Sequence, residues 1–188
     1  MDVSIIIRTK NEAEALGHTL TTVREQEFSG ECEVIVVDSG STDSTVSIAK
    51  DFGVRVIHIP EKAFTYGNSL NVGARETQGS FIVNLSAHAW PRDEKWLRNL
   101  IEGFEEDDVA AVYGRQLSDG DENPFEALQS ERFFGKWKAK YRMVNGRSPR
   151  EIHFSNSNCA IRREVWQRFE FDEVVPYAED ILWQTEVL

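Results

Sequence analysis

Two apolar, β-branched runs constrain this chain more than anything else in it: Val3-Ser-Ile-Ile-Ile-Arg-Thr-Lys-Asn-Glu12 and Val34-Ile-Val-Val-Asp-Ser-Gly-Ser-Thr-Asp-Ser-Thr45. Each ends abruptly in small polar and acidic residues, and a helical pattern follows each. A parallel-sheet strand buried on both faces reads this way, and its C-terminal end opens into a ligand crevice. Acidic and hydroxyl side chains at such a crevice suit a ribose and a diphosphate better than a bare phosphate.

The same alternation continues along the chain and predicts an α/β domain with a largely parallel sheet. Strands are expected over Val3–Arg8, Glu33–Val37, Val54–Ile59, Phe81–Leu85 and Val109–Tyr113. Helices are expected over Glu12–Gln26, Asp43–Asp51, Gly67–Thr77 and Glu94–Glu105, with Ser41 or Thr42 placed to cap the second. After Arg115 the character changes. Leu117–Asn123 is acidic and turn-rich, Pro124–Tyr141 reads as a helix carrying Phe133, Phe134 and Trp137, and Arg142–Ile152 is basic and loop-like. A strand over Ser157–Ile161, a short helix over Arg163–Phe169 and a helix from Ala178 to Leu188 complete the pattern. One domain spanning 1–188 is expected, with its halves meeting near Arg115.

Charge narrows the choice of ligand. A formal net charge of -11 over 188 residues leaves no basic face for nucleic acid. A diphosphate entering so acidic a chain needs local cations: a metal, an arginine or helix N-termini. Cys32 and Cys159 have neither metal nor disulfide-framework spacing and are expected to be reduced. Val3–Ile7 is far too short for a signal peptide or a membrane span, so a cytoplasmic protein is expected.

Asp38 stands at the expected end of strand two, beside Thr9, Asn11 and Glu12 at the end of strand one. That grouping favours a carboxylate contacting a base or ribose over a residue that merely caps the next turn. Asp43 reads as a cap or turn residue. A phosphoacceptor role for Asp38 would need an acidic pair after strand one, which Arg8-Thr9-Lys10 does not supply. A nucleotidyltransferase would need a glycine-rich loop there, which Thr9-Lys10-Asn11-Glu12 lacks.

The two opening motifs resemble the nucleotide-sugar half of family 2 glycosyltransferases, which have the GT-A fold, a Rossmann-like three-layer sandwich with a mostly parallel central sheet. The resemblance runs from Val3 to Trp183. It implies a donor site formed by Thr9, Asn11, Glu12, Asp38, Ser39 and Ser86, with Arg75 of Asn71-Val-Gly-Ala-Arg75 adding positive charge near the diphosphate or lying as a solvated helix-face residue. The family's metal-binding Asp-x-Asp motif is replaced here, because Ser86 and His88 of Ser86-Ala-His-Ala-Trp-Pro91 occupy its two positions. His88 is then the candidate ligand for Mn or Mg, or a hydrogen-bond donor to the leaving diphosphate. This variant motif is similar to that of rhamnosyltransferase-like members, which implies dTDP-rhamnose as one candidate donor and a UDP-sugar as another.

In Tyr177-Ala-Glu-Asp-Ile-Leu-Trp183 the resemblance makes Asp180 the general base, with Glu179 as the alternate. An acceptor hydroxyl ionises far above neutral pH, so its attack needs a carboxylate to take the proton as the bond forms. Asn156 and Asn158 either line the acceptor pocket or satisfy backbone groups, and Trp183 is a candidate for stacking on a sugar.

The implied activity is inverting transfer from a nucleotide-diphosphate sugar to a hydroxyl of a saccharide or lipid-linked glycan. The nucleotide half would run to about residue 115 and the acceptor half from there. Peripheral contact with the inner face of a membrane and a homodimer are both compatible with this. The chain stops at Leu188, barely two turns beyond Asp180, which implies truncation or a minimal protein with an open acceptor site. The rival class is a nucleotide-sugar-binding domain without transfer activity, completed by a missing segment or a partner.

Overall fold

The computed structural model describes residues 2–117 and 154–187. Six strands form one sheet: β1 Val3–Thr9, β2 Cys32–Asp38, β3 Arg55–His58, β4 Phe81–Ser86, β5 Ala111–Tyr113 and β6 Asn158–Arg162. Their order is β3-β2-β1-β4-β6-β5. The first four pair in parallel, whereas β6 runs antiparallel to β4 and β5 antiparallel to β6. The expected fold class, α/β with a mostly parallel sheet, is the one observed. The expected helix over Pro124–Tyr141 and the basic loop after it lie outside the described residues.

Helices cover both faces. On one side α1 (Ala13–Arg24), α2 (Thr45–Asp51) and α4 (Trp96–Glu102) meet Val3, Ile5 and Ile7 of β1 and Val83 and Leu85 of β4. On the other, α3 (Tyr66–Arg75), α5 (Arg163–Arg168) and α6 (Glu179–Val187) accompany Ile6, Ile35, Val37, Ile82 and Ile161. Alternation along β1 divides its isoleucines between the two cores, which explains why the strand reads as a continuous apolar run.

The helix over 43–51 starts later than the sequence suggests. Ser41 and Thr42 do not cap α2, because they are bonded to Asn11: its N–H donates to Ser41 Oγ at 2.9 Å, and its Oδ1 accepts from the Thr42 N–H at 2.7 Å. Asp43 takes over at the helix start, its Oδ1 accepting from the Thr45 N–H at 2.9 Å. The reading of Asp43 as a cap or turn residue holds.

Helix α3 sits unusually close to the sheet. A Cβ built on Gly73 would lie 2.5 Å from Ile6 Cγ2 and 3.2 Å from Val37 Cγ2. Gly73→Ala should therefore destabilise the fold by about 1–3 kcal/mol through overpacking, read from urea unfolding. An unchanged midpoint would show that α3 can lift off without cost.

Candidate functional site

A helix joining two parallel strands runs antiparallel to them, so the strands' C-terminal ends form one edge of the sheet and collect the loops that follow. At that edge Thr9 pairs in register with Asp38, and Arg8 with Ser86. The β1 and β2 loops are bonded together through Ser39, whose N–H and Oγ both donate to the Thr9 carbonyl, at 3.1 and 3.2 Å.

Asp38 is buried, and its carboxylate is already engaged. It accepts from the Gly40 N–H at 3.1 Å and the Ser41 N–H at 3.2 Å, with His58 Nδ1 at 3.3 Å. Gly40 has φ 92°, a left-handed conformation that glycine adopts without strain. Asp38 thus shapes the turn through its side chain, the role that sequence reasoning ranked second. Asn11, also at positive φ (53°), likewise serves to hold the two loops together.

Glu12 and His88 meet across the crevice. Glu12 Oε1 lies 2.5 Å from His88 Nδ1, and its Oε2 accepts from Thr9 Oγ1 at 3.4 Å. Burial would raise the Glu12 carboxyl, but the hydrogen bond and charge of His88 outweigh it and hold it below its ordinary 4.5. That same hydrogen bond lifts His88 above its ordinary 6.5, against burial and the nearby charge of Arg8. The Glu12 contribution to stability is present above 4.5 and lost as pH falls through its lowered folded-state value. The His88 contribution is present below 6.5 and lost as pH rises through its raised one. The melting-temperature difference between wild type and His88→Gln should therefore be widest between about pH 4.5 and 6.5. A pH-independent difference would show that the pair contributes nothing.

The fit to a metal is poor. Among the described residues, no three His, Cys, Asp or Glu side chains gather to hold an ion. His88 has already committed Nδ1 to Glu12. The described residues do not build a Mn or Mg site by themselves.

The acidic pair begins α6, on the opposite side of β4 from α1. Ala178 precedes it with φ 65°, a strained conformation for a residue with a Cβ. Glu179 is 5% exposed and accepts from Asn156 Nδ2 at 3.2 Å, while Asn156 Oδ1 accepts from Asn84 Nδ2 at 3.2 Å. Asp180 is only half-buried; its Oδ1 accepts from the Ile181 N–H at 2.9 Å and its Oδ2 lies 3.5 Å from the Asn156 N–H. Of the two carboxylates, Asp180 is the one open to an incoming molecule.

Three expected site residues lie elsewhere. Arg75 ends α3 and so sits at the N-terminal edge of the sheet, beside Glu33, Arg55, Glu76 and Gln78, with its guanidinium ion-paired to Glu170 and Glu173. It does not reach the crevice. Asn158 points across the sheet from Asp180, where its Oδ1 accepts from Trp96 Nε1 at 2.9 Å. Trp183 is core: 3% exposed, donating from Nε1 to the Phe169 carbonyl at 2.6 Å, and stacked near Phe154 and Phe171 at centroid distances of 5.1 and 5.6 Å.

One residue that sequence reasoning missed is Arg8. It shares the Ile6 face of β1, with its guanidinium carbon 4.9 Å from the Tyr66 ring centroid. Burial lowers its pKa, and the negative charges of Glu179 and Asp180 oppose that shift. The signal was available: a charge inside an otherwise apolar strand, where burial is costly unless it is used.

A parallel-sheet crevice of this shape, closed by an acidic pair at the start of a late helix, places the chain in the GT-A class. Residues 4–169 match the family model described as Glycosyl transferase family 2, and the chain belongs to that family. It is 29% identical over 194 residues to the O-antigen chain rhamnosyltransferase RfbN of Salmonella typhimurium, with all of this chain and 61% of that protein covered. The chain thus spans about three-fifths of the length of such curated relatives. Among solved structures, it superposes on the mannosyltransferase PcManGT from Pyrobaculum calidifontis, in complex with GDP-Man and Mn2+, with a TM-score of 0.71 at 23% identity, covering 98% of this chain and 51% of that one. It superposes on S. aureus TarS 1-349 in complex with UDP-GlcNAc with a TM-score of 0.76 at 22% identity, covering 100% of this chain and 53% of that one. No helix among the described residues is long and apolar enough to cross a membrane.

Proposed function

We propose that this chain is the catalytic domain of an inverting glycosyltransferase that moves a sugar from a nucleoside-diphosphate donor to an acceptor hydroxyl. The observation that carries this reading is the juxtaposition of two groups at one sheet edge. Thr9, Glu12 and His88 stand on the donor side, Ser86 ends β4 between the two groups, and the half-exposed Asp180 stands on the other side of β4. Family membership and the rhamnosyltransferase relative support a deoxyhexose donor such as dTDP-rhamnose, with a saccharide or lipid-linked glycan as acceptor.

In this reading Asp180 takes the acceptor proton as the hydroxyl oxygen attacks the anomeric carbon. The bond to the diphosphate breaks on the opposite face, through an oxocarbenium-like state. Glu179 is a positioning residue: its Asn156 contact holds the start of α6 against β4. The bond to Glu12 favours the protonated form of His88, which would carry positive charge and offer Nε2 to the leaving phosphate.

The test is release of nucleoside diphosphate from dTDP-rhamnose, UDP-GlcNAc and GDP-mannose, with and without saccharide acceptors and Mn2+. Acceptor-dependent release from one donor supports transfer. Donor binding with no release under any condition would overturn it in favour of a binding domain.

A further inference from the structure

Among the described residues, three buried side-chain nitrogen or oxygen atoms have no hydrogen-bond partner: Arg8 Nε, Arg8 Nη1 and Asn84 Oδ1. All three belong to one face of the sheet. Arg8 follows Ile6 by two positions in β1, and Asn84 follows Ile82 by two in β4, and both isoleucines belong to the core under α3 and α6. Among the described residues the unmet buried side-chain polar atoms are thus concentrated at a single place, the C-terminal end of β1 and β4, beside the acidic pair.

Ordinary packing does not explain the guanidinium. Its Cζ lies over the Tyr66 ring, 4.9 Å from the centroid, a contact that leaves the N–H donors without a hydrogen-bond acceptor. Glu179 and Asp180 are near enough to act on its charge, yet no ion pair within 4.0 Å joins either to Arg8 among the described residues. Glu179 instead takes the Asn156 amide. A half-buried guanidinium with two nitrogens left without a protein partner beside a carboxylate pair is free to receive an anion rather than being half of a salt bridge.

Position selects the anion. Arg8 pairs in register with Ser86, the first residue of the segment replacing the family's metal motif, and its charge is felt at His88 two residues on. Arg75, the cation expected to serve the diphosphate, is at the far edge of the sheet, paired to Glu170 and Glu173. We infer that Arg8 binds the diphosphate of the nucleotide donor through its guanidinium, supplying charge compensation that the Ser-Ala-His segment cannot supply through carboxylate-held metal. This rests on the glycosyltransferase reading above. A guanidinium matches phosphate oxygens by charge and by its fixed donor geometry.

The experiment compares nucleotide affinities by calorimetric titration in the presence of EDTA. Wild type, Arg8→Lys and Arg8→Met are titrated with UDP, dTDP and GDP and with the matching monophosphates. Wild type should bind one diphosphate more tightly than its monophosphate. Arg8→Met should lose about 10- to 100-fold in diphosphate affinity with much less change for the monophosphate, and Arg8→Lys should fall between. Thermal unfolding of Arg8→Met supplies the second readout. A guanidinium kept for a ligand is not needed for folding, so its melting temperature should equal or exceed that of wild type.

Diphosphate binding with an unchanged diphosphate-to-monophosphate ratio in Arg8→Met would overturn the assignment while leaving the donor crevice standing. A marked fall in melting temperature with that ratio unchanged would make Arg8 a structural partner of Glu179. No binding of any nucleotide by wild type would overturn the donor reading itself, and the assignment with it.

Discussion

Asp180→Asn should lower kcat by about 10²–10⁴ while leaving donor affinity close to wild type. The asparagine keeps the shape and the contact with the Ile181 N–H but cannot accept the acceptor's proton. Glu179→Gln should cost much less, because Glu179 is 5% exposed and its oxygen serves the Asn156 amide. Steady-state rates on the donor identified by product release separate the two. Equal losses in both variants would mean that the pair acts as one structural unit. Loss of donor binding in Asp180→Asn would place Asp180 on the donor rather than the acceptor.

Asn71→Leu should have the largest effect on stability, a loss of about 3–5 kcal/mol in urea unfolding. Asn71 is fully buried in α3 and makes four side-chain hydrogen bonds. Its Oδ1 accepts from Trp166 Nε1 at 3.0 Å and from the Phe171 N–H at 3.1 Å. Its Nδ2 donates to the Phe171 carbonyl at 2.8 Å and to Glu173 Oε1 at 3.0 Å. Leucine of similar size would strand the indole N–H and both Phe171 backbone groups, each at about 1–3 kcal/mol. The consequence reaches the site, because residues 171–175 run alongside α3 and lead into Glu179 and Asp180. A loss below about 1 kcal/mol would show that water replaces the amide freely.

Much of the scaffold was legible because its strands are buried on both faces. The runs at Val3–Ile7, Val34–Val37 and Phe81–Leu85 leave no other element to form, and their observed ends differ from expectation by a residue or so. The crevice followed from topology, whereas the acidic pair at the start of α6 was indicated by the family resemblance. Side-chain direction was harder to read. Arg75 was expected at the diphosphate because its motif lies near the nucleotide, yet the last turn of a helix between parallel strands must fall at the opposite edge. Asn156 and Asn158 looked equivalent, but Asn156 belongs to the turn before β6, so strand alternation does not give the two a common face. Trp183 lies one turn beyond Asp180 and reads equally as a sugar platform or as core; only its contacts with Phe154 and Phe171 decide. Arg8 and Asn84 were readable as polar residues inside apolar strands, and their value emerges only when both are seen on one face.

The most direct test of the central claim is a crystal structure of the chain with the nucleoside diphosphate that titration selects. The account predicts the nucleotide across the C-terminal ends of β1, β2 and β4, with its diphosphate between Ser86 and the Arg8 guanidinium and Asp180 facing the vacant sugar position. A nucleotide bound instead at the opposite edge, among Glu33, Arg55 and Arg75, would contradict it.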